Sequence, residues 1–363
     1  MSSRTAHILL LSTADYVERE CIGLVEALQP HATVTCLDRF RDHAVEAVEA
    51  VTDRSPDLVF HPDTYRVYLP EGLEELGCPT ACLHIDTYGG WANRARMSLL
   101  FDLSLVCHPG YPESFQEEGH PECLLFPHAV RRSYYENPLP EKSVDLAMVG
   151  RLDGDNYTYR RSCVRAVNEL GVETNDFSQY YEYAELAEVY RRAKIGLNVS
   201  RDDYLRDANL RCFEVMAGGA LLLTPHPTEL SQLGLESKEH FVAFRSEDDL
   251  TEKVRYYLNH PEERKEIARN GREETLRRFT YDRWAQRLVE RINEGIPLQA
   301  PARKMSEGEA AGIYVDYLSK RGQIDETLTH FRRQRRNGGG SVMRSIGKAA
   351  KVTIRGWQNA LFS

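Results

Sequence analysis

The sequence predicts an α/β fold made of two doubly wound parallel sheets. Short runs that are apolar throughout alternate with helical stretches, and the alternation stops near residue 140 and then starts again. Uninterrupted apolar runs are typical of strands that helices cover on both faces, and a repeated strand-then-helix order favours a parallel sheet. A chain of 363 residues also has the length of two domains.

The first half supplies six candidate strands with helical stretches between them. The strands are predicted at residues 7–13, 33–37, 57–61, 80–86, 102–108 and 123–127. Helices are predicted at 15–29 and 42–54. We therefore expect an N-terminal Rossmann-like domain over residues 1–135.

A second series of the same kind follows residues 134–143, where Asn137, Pro138 and Pro140 break the pattern and predict an interdomain linker. Its strands are predicted at residues 144–149, 173–177, 194–199, 220–224 and 241–245, and its helices at 159–170, 183–193, 208–217, 247–259 and 281–293. Ser246 and Asp249 have the spacing of a capping box at the start of one helix, and Pro261 begins the next. We expect a C-terminal Rossmann-like domain over residues 144–293 and a helical extension over 294–363.

Composition and charge exclude several classes of protein. With 42% hydrophobic and 28% charged residues, the chain is neither disordered nor fibrous, and its longest apolar run is too short to span a bilayer. The eight cysteines are scattered without a CxxC pair, which predicts reduced thiols in the cytoplasm and no zinc site. A net charge of −9 argues against nucleic acid as a partner.

The C-terminal tail differs in charge from the rest of the chain. Eight of the 46 basic residues lie in residues 331–363, which contain no acid, so 38 basic and 55 acidic residues leave the first 330 residues at −17. Within residues 341–363 an apolar set and a basic set each recur at steps of three or four. This pattern predicts a basic amphipathic helix on an anionic membrane, at the inner face; docking on a partner and a disordered terminus remain open.

Two common nucleotide-binding signatures are missing. The first predicted strand is followed by Ser12, Thr13, Ala14 and Asp15 instead of a GxGxxG turn, and the chain contains no GxxxxGK[ST] sequence. Dinucleotide-dependent redox chemistry and P-loop phosphoryl transfer therefore lose their main sequence support.

The informative stretch is residues 194–230, where a strand, a polar loop and a helix bring Asn209, Arg211 and Glu214 close together in sequence. A helix N-terminus favours anionic groups, and an arginine fork suits phosphate oxygens. A carboxylate can accept hydrogen bonds from both hydroxyls of a ribose. The combination suits a sugar nucleotide, while a surface loop in which Glu214 only favours the helix dipole remains open.

The stretch NLRCFEVMAGGALLLT at residues 209–224 resembles the CgeB (spore maturation protein B) family, relatives of the group-one glycosyltransferases. Further similar pieces are DLAMVGR at 145–151, KIGLNVS at 194–200 and FTYDRW at 279–284, and weaker similarity extends the resemblance to residues 57–293. It implies a GT-B fold, in which two Rossmann-like domains face a cleft. It also implies a hexosyltransferase-type enzyme that takes a nucleoside-diphosphate sugar, with a UDP-sugar as first choice, to a glycan, glycolipid, lipid-linked or protein acceptor.

The resemblance also implies roles for single residues of the C-terminal half. Glu214 would hold the donor ribose, and the Gly150-Arg151 turn would meet the diphosphate. Arg161, or Arg160 beside it, would be the second basic group. The stretch from Thr224 to Glu229 would approach the phosphates through its backbone, with Glu229 near the transferred sugar. Arg206 stands where group-one enzymes usually carry a second acid. No metal is expected, because arginines and helix N-termini can neutralise a leaving diphosphate.

The N-terminal half is expected to bind the acceptor and to supply a general base. Asp86 is the first candidate and His84 the second, since both come at the end of strand 80–86. For either residue, a strand-end side chain bonded to backbone is the alternative. Two other functions remain open: a sugar-nucleotide epimerase of the same fold, and a non-catalytic coat or envelope assembly protein.

Overall fold

The computed structural model describes residues 5–12, 22–37, 43–62 and 69–321, with only the backbone for 318–321. The predicted basic helix at 341–363 lies outside the described residues. The chain divides into two compact units: unit 1 comprises Met1–Phe126 and Leu288–Ser363, and unit 2 comprises Pro127–Arg287.

Unit 1 contains a six-stranded parallel sheet in the order β2-β1-β3-β4-β5-β6. Its strands are β1 (Ala6–Leu10), β2 (Ala32–Cys36), β3 (Leu58–His61), β4 (Thr80–His84), β5 (Leu103–Val106) and β6 (Cys123–Leu125). The helices between and after them are α1 (Ile22–Leu28), α2 (Ala44–Glu49), α3 (Trp91–Ser98) and α4 (Tyr111–Glu117). Every residue of β3, β4 and β5 is buried, as the uninterrupted apolar runs predict.

Unit 2 contains a four-stranded parallel sheet in the order β10-β9-β8-β7. Its strands are β7 (Val144–Ala147), β8 (Ala193–Leu197), β9 (Leu221–Pro225) and β10 (Val242–Phe244). The helices are α5 (Thr158–Asn168), α6 (Tyr183–Arg192), α7 (Leu210–Ala217), α8 (Thr228–Gln232), α9 (Glu247–Asn259), α10 (Pro261–Arg278) and α11 (Tyr281–Glu294). These elements confirm the predicted second α/β series.

The strand predicted at 173–177 is wrong in extent. It forms a single parallel bridge, between Thr174 and Leu146 on the outer side of β7. Asn175 follows the bridge, and its side-chain amide makes the hydrogen bonds that a backbone ladder would otherwise form. It accepts from Met148 N at 2.9 Å and donates to Met148 O at 3.0 Å. The strand order therefore reverses beside β7, between this bridge and β8, and ligands of such sheets bind at that point.

The segment 134–143 is a fixed part of unit 2, although its sequence predicts a linker. Arg191 donates to the carbonyl groups of Tyr134, Asn137 and Pro138, and Arg272 donates to the carbonyl of Tyr135. Proline and asparagine break the helical and strand patterns, but they leave carbonyl groups available to the side chains of Arg191 and Arg272.

The units also divide the chain differently from the sequence boundaries. Unit 1 includes the chain after Leu288, with a final helix α12 (Glu307–Arg321). Asp102, buried just before β5, accepts hydrogen bonds from Gln299 N at 2.6 Å, Ala300 N at 2.8 Å and the Arg303 guanidinium at 2.8 and 3.0 Å. One carboxylate thus ties residues 299–303 to the amino end of the unit 1 sheet.

The predicted helix start at Ser246 is confirmed. The Ser246 hydroxyl accepts a hydrogen bond from Asp249 N at 3.2 Å, and α9 begins at the next residue. We expect Ser246→Ala to lower the free energy of unfolding by about 1 kcal/mol, because it leaves a helix N–H group without its cap. Denaturant unfolding of the two chains measures the difference, and equal midpoints would contradict it.

Within the described residues, no helix is both long and apolar enough to cross a membrane. The seven cysteines in this part of the chain are free thiols, and six of them are buried.

Candidate functional site

Three elements of unit 2 bring polar side chains together at the carboxyl edge of its sheet. They are the turn after β7, which contains Gly150, the end of β8, followed by Asn198 and Ser200, and the start of α7, where Asn209 and Arg211 lie. This is the point at which the strand order reverses, so a crevice for a ligand is expected here.

Arg211 joins these elements. Its Nη1 donates to the carbonyl of Val149 at 3.2 Å, and its Nε lies 3.4 Å from the Asn198 side-chain oxygen. Asn198 in turn donates to Cys212 Sγ at 3.1 Å. The guanidinium is therefore held against the turn after β7 although its residue belongs to α7.

Gly150 is the residue that permits this approach. A Cβ atom at this position would lie 2.3 Å from Arg211 Nη1 and 3.0 Å from Arg160 Nη1. Any other residue would push the first guanidinium out of place. The glycine therefore allows two cationic groups to lie beside one backbone turn.

Arg160 is the second of these groups, and its side chain is almost fully buried, with 2% exposed. Its Nε donates to the Val199 carbonyl at 2.7 Å and its Nη1 to the Arg151 carbonyl at 2.8 Å. Its Nη2 is buried without an acceptor among the described residues. Burial, and next the charge of Arg211, lower the pKa of Arg160 to about 9. The group is thus still charged at neutral pH, and it has a buried donor left for an anion.

The N-terminus of α7 adds to the positive potential of this site. Asn209 is its cap, with the side-chain oxygen accepting from Arg211 N at 3.1 Å and the amide donating to Ser200 Oγ at 2.8 Å. The helix dipole is directed with its positive end toward the same turn. The site is therefore built to hold a group with more than one negative charge.

Glu214 lies one turn further along α7 and is 6% exposed. Burial raises the pKa of its carboxyl group to about 7, an effect that the charge of Arg211 opposes. Its charge in turn raises the pKa of the buried Tyr135 and Tyr190 hydroxyls, after burial itself, so these rings are neighbours. No hydrogen bond to this carboxylate is formed within the described part of the chain.

Arg151 and Arg161 have other contacts. Arg151 is exposed and forms a bidentate ion pair with Asp153, at 3.0 and 3.2 Å. Arg161 donates to the carbonyl groups of Leu152 and Gly154, which braces the loop after β7. The sequence predicts Arg161, ahead of Arg160, as the second basic group of the site, but it is Arg160 that lies beside Gly150 and Arg211.

Helical periodicity could have separated these two arginines. The buried residues of α5 are Arg160, Cys163, Val164 and Val167, which follow the i, i+3, i+4, i+7 pattern of one face. Position 161 falls outside that face. Asn198 belongs to the stretch KIGLNVS, but its contact with Arg211 could not be predicted, because it depends on how β8 packs against α7.

Thr224 and Glu229 lie on the next strand and helix. Thr224 is buried in β9. Glu229 is buried in α8, and its carboxylate accepts from the Tyr204 hydroxyl at 2.5 Å and from Ala208 N at 2.9 Å. These bonds hold the loop before Asn209, so the carboxylate supports the site through that loop.

The two base candidates in unit 1 differ in environment. His84 is fully buried; its Nε2 lies 3.1 Å from Cys82 Sγ, and its ring packs edge-on against Phe115. Burial, followed by the charges of Arg94, His120 and His61, lowers its pKa well below the usual range. Asp86 is exposed in the turn after β4, at a φ of 51°. Only Asp86 is accessible to a substrate.

Comparison with known proteins finds one family match, in the second half of the chain. Residues 139–290 match the family model described as glycosyl transferase-like, and no curated protein sequence matches the chain. The fold is similar to that of HepE from Anabaena, solved in complex with UDP and glucose, at 11% identity and a TM-score of 0.54, covering 80% of this chain and 100% of that one.

Two further solved structures agree in fold. One is a glycosyltransferase from Rickettsia africae, at 10% identity and a TM-score of 0.53, covering 80% of this chain and 98% of that one. The other is a UDP-forming α,α-trehalose-phosphate synthase from Burkholderia vietnamiensis, at 10% identity and a TM-score of 0.54, covering 81% and 100%. At these identities the likeness establishes the fold, which is GT-B with two Rossmann-like domains, as the sequence predicted.

Proposed function

We propose that this chain is a glycosyltransferase that moves a hexosyl group from a nucleoside-diphosphate sugar to an acceptor hydroxyl. The observation that carries the proposal is the buried Arg160 guanidinium. Its Nη2 group has no hydrogen-bond acceptor in the described part of the chain, and it lies beside Arg211 and the N-terminus of α7. The match to the glycosyl transferase-like family supports it, because residues 139–290 include the whole of this site.

The pair of arginines would hold the diphosphate. A sugar–phosphate bond breaks with the electron pair going to the phosphate oxygen, so negative charge grows on the leaving group during transfer. Fixed guanidinium and helix N–H groups stabilise that charge without having to reorganise. Gly150 contributes by letting both arginines reach the same backbone turn.

Glu214 would accept hydrogen bonds from the ribose hydroxyl groups of the donor. Its carboxylate has no hydrogen bond within the described residues, and the two hydroxyls would supply them. A UDP-sugar is the proposed donor. HepE, solved with UDP and glucose, and the UDP-forming trehalose-phosphate synthase support this choice of base.

Unit 1 would bind the acceptor, a glycan or a lipid-linked sugar, and Asp86 is the proposed general base. In a reaction with inversion, the acceptor oxygen forms the bond to C1, the bond from C1 to the diphosphate breaks, and Asp86 takes the hydroxyl proton. His84 does not suit this role, because its ring is fully buried. We further propose a CgeB-like role in polysaccharide assembly at the cytoplasmic side of a membrane.

Product analysis tests the function without knowledge of the acceptor. The full chain is incubated with UDP-, GDP-, ADP-, CDP- and dTDP-hexoses, and the nucleotides are separated by anion exchange. A transferase releases nucleoside diphosphate slowly, with water as acceptor, and the Arg211→Ala chain should not. An isomerised sugar nucleotide without free diphosphate would instead identify an epimerase. A chain that neither binds nor turns over any of these sugar nucleotides would instead support the non-catalytic assembly protein.

A further inference from the structure

A second basic site lies where α10 ends and α11 begins. A surface pocket of about 510 Å³ is lined there by six residues of unit 2: Arg132, Leu276, Arg277, Asp282, Arg283 and Gln286. None of them belongs to the proposed donor site. We call this feature the elbow pocket.

Hydrogen bonds hold two of the three guanidinium groups of the elbow pocket in place. Arg132 donates to the Leu276 carbonyl at 2.8 Å and to Asp282 at 3.3 Å. Arg283 donates to the Arg277 carbonyl at 3.0 Å and to the Gln286 side chain at 3.0 Å. The bonds to the two backbone carbonyls and to Gln286 fix the Arg132 and Arg283 side chains beforehand, so a ligand would not have to order them.

Each guanidinium still has donors to offer. Arg132 Nη1, Arg277 Nη1 and Arg283 Nη2 form no hydrogen bond within the described residues. The side chains of Arg277 and Arg132 are 64% and 39% exposed. Solvent-facing arginine forks that line one pocket are suited to the oxygen atoms of phosphate.

The charge of the pocket is positive even after its acids are counted. Three arginines face one carboxylate in the lining, Asp282, and a second carboxylate, Glu274, pairs with Arg277 at 2.7 Å. The carboxyl end of α10 adds about half a negative charge. A net positive pocket on a chain with a charge of −9 is a local feature that the overall composition does not require.

We propose that the elbow pocket binds a phosphate group of an anionic ligand, separately from the donor site. The phosphate oxygens would accept from Arg132, Arg277 and Arg283. Asp282 would oppose binding, because its carboxylate repels the ligand and engages Arg132. The site would make the protein's affinity for its ligand fall with increasing salt.

Calorimetric titration of pyrophosphate into the full chain tests the proposal. We perform it on the wild-type chain and on the Arg211→Ala chain, so that binding at the donor site is recognised by its loss in Arg211→Ala. Binding that remains in Arg211→Ala should weaken about tenfold or more on adding Arg283→Ala, because a charge-assisted hydrogen bond is lost. Asp282→Asn should strengthen it.

Two further variants keep the test interpretable. Arg192→Ala is the matched control, because Arg192 is an exposed arginine on α6 that pairs with Glu188 at 2.8 Å; it should change nothing. Arg283→Lys retains the charge and should bind more tightly than Arg283→Ala. If Arg283→Ala behaves like Arg192→Ala, or if Asp282→Asn fails to tighten binding, the proposal is overturned, whatever the donor site does.

The source of the phosphate is decided by a parallel sedimentation assay. Phosphatidylcholine vesicles with and without phosphatidic acid are spun down with the wild-type and Arg283→Ala chains. Sedimentation that needs both phosphatidic acid and Arg283 supports a lipid headgroup. Pyrophosphate binding that needs Arg283 without such sedimentation supports a soluble phosphorylated ligand. If Arg283 affects neither pyrophosphate binding nor sedimentation, the proposed site is refuted.

Discussion

An Arg211→Ala chain is expected to bind the nucleoside diphosphate at least about a hundredfold more weakly than the wild-type chain. A hydrogen bond to a charged group contributes about 1.5–3 kcal/mol, and the fork can form two of them with a diphosphate. The variant also leaves Arg160 as the single guanidinium beside Gly150. Isothermal titration of both chains with UDP measures the change.

Two controls separate lost binding from lost folding. Arg192→Ala removes an exposed arginine of the same unit and should keep the wild-type affinity. Arg160→Lys keeps a charge at the buried position but cannot replace both backbone hydrogen bonds or the free Nη2 donor, so its affinity and its Tm should both fall, and its binding is measured well below its own Tm. An Arg211→Ala chain that binds within threefold of the wild type would contradict the role of the arginine pair.

Glu214→Gln is expected to stabilise the free protein while it weakens donor binding. Burial raises the Glu214 pKa from 4.5 to about 7, so the ionised form is disfavoured in the folded state. Above pH 7 that cost amounts to about 3 kcal/mol, at about 1.4 kcal/mol per pKa unit. Glutamine cannot ionise and avoids it, but it offers the ribose hydroxyls one acceptor atom instead of two, which should cost at least about tenfold in affinity.

The pKa of Glu214 also determines how the free energy of unfolding changes with pH, and over which pH range. Between pH 4.5 and 7 the unfolded chain has released the Glu214 proton and the folded chain has retained it, so this group lowers the free energy of unfolding as pH rises. Glu214→Gln should therefore equal the wild type near pH 4.5 and exceed it by about 3 kcal/mol at pH 8. Denaturant unfolding at both pH values checks this; an equal difference at both would show that Glu214 does not titrate in this window.

Donor binding should have the opposite dependence on pH. Only the ionised carboxylate accepts from both ribose hydroxyls, so the wild-type affinity should fall as pH drops below 7, while Glu214→Gln shows no such fall. The Tyr135 and Tyr190 hydroxyls beside Glu214 stay protonated throughout this range, because burial raises the pKa of each above its usual value. Calorimetry at pH 5.5 and 7.5 compares the two chains.

Much of the fold could be predicted because strand burial is visible in the sequence. The runs 80–86 and 220–224 are rich in apolar residues, and they contain β4 and β9, central strands in which every residue is buried. Residues 173–177 mix polar and apolar positions, and an asparagine side chain takes over the ladder there. The sequence predicts a linker at 134–143, whereas the compact units place this segment in unit 2, and the arginines that contact it lie far away in sequence.

The candidate site was predictable in part. Asn209 and Arg211 could be placed because a cap and a helix start are local features, and Gly150 because a glycine follows β7. The choice between Arg160 and Arg161 depended on which face of α5 is buried. His84 follows the pattern of a strand-end base candidate, yet Phe115 of α4 covers its ring from a separate element, which the local sequence does not reveal.

The most direct test of the arginine-pair site is a thermal-shift measurement of the full chain with UDP, GDP, CDP, ADP and dTDP. A ligand that binds the native state raises its Tm by mass action. We expect at least one of the five, with UDP first, to raise the Tm of the wild-type chain and of Arg192→Ala, and to raise that of Arg211→Ala by much less, because only binding at the elbow pocket would remain there. No shift in the wild-type chain, or an equal shift in Arg211→Ala, would contradict a nucleoside-diphosphate site at Arg160 and Arg211.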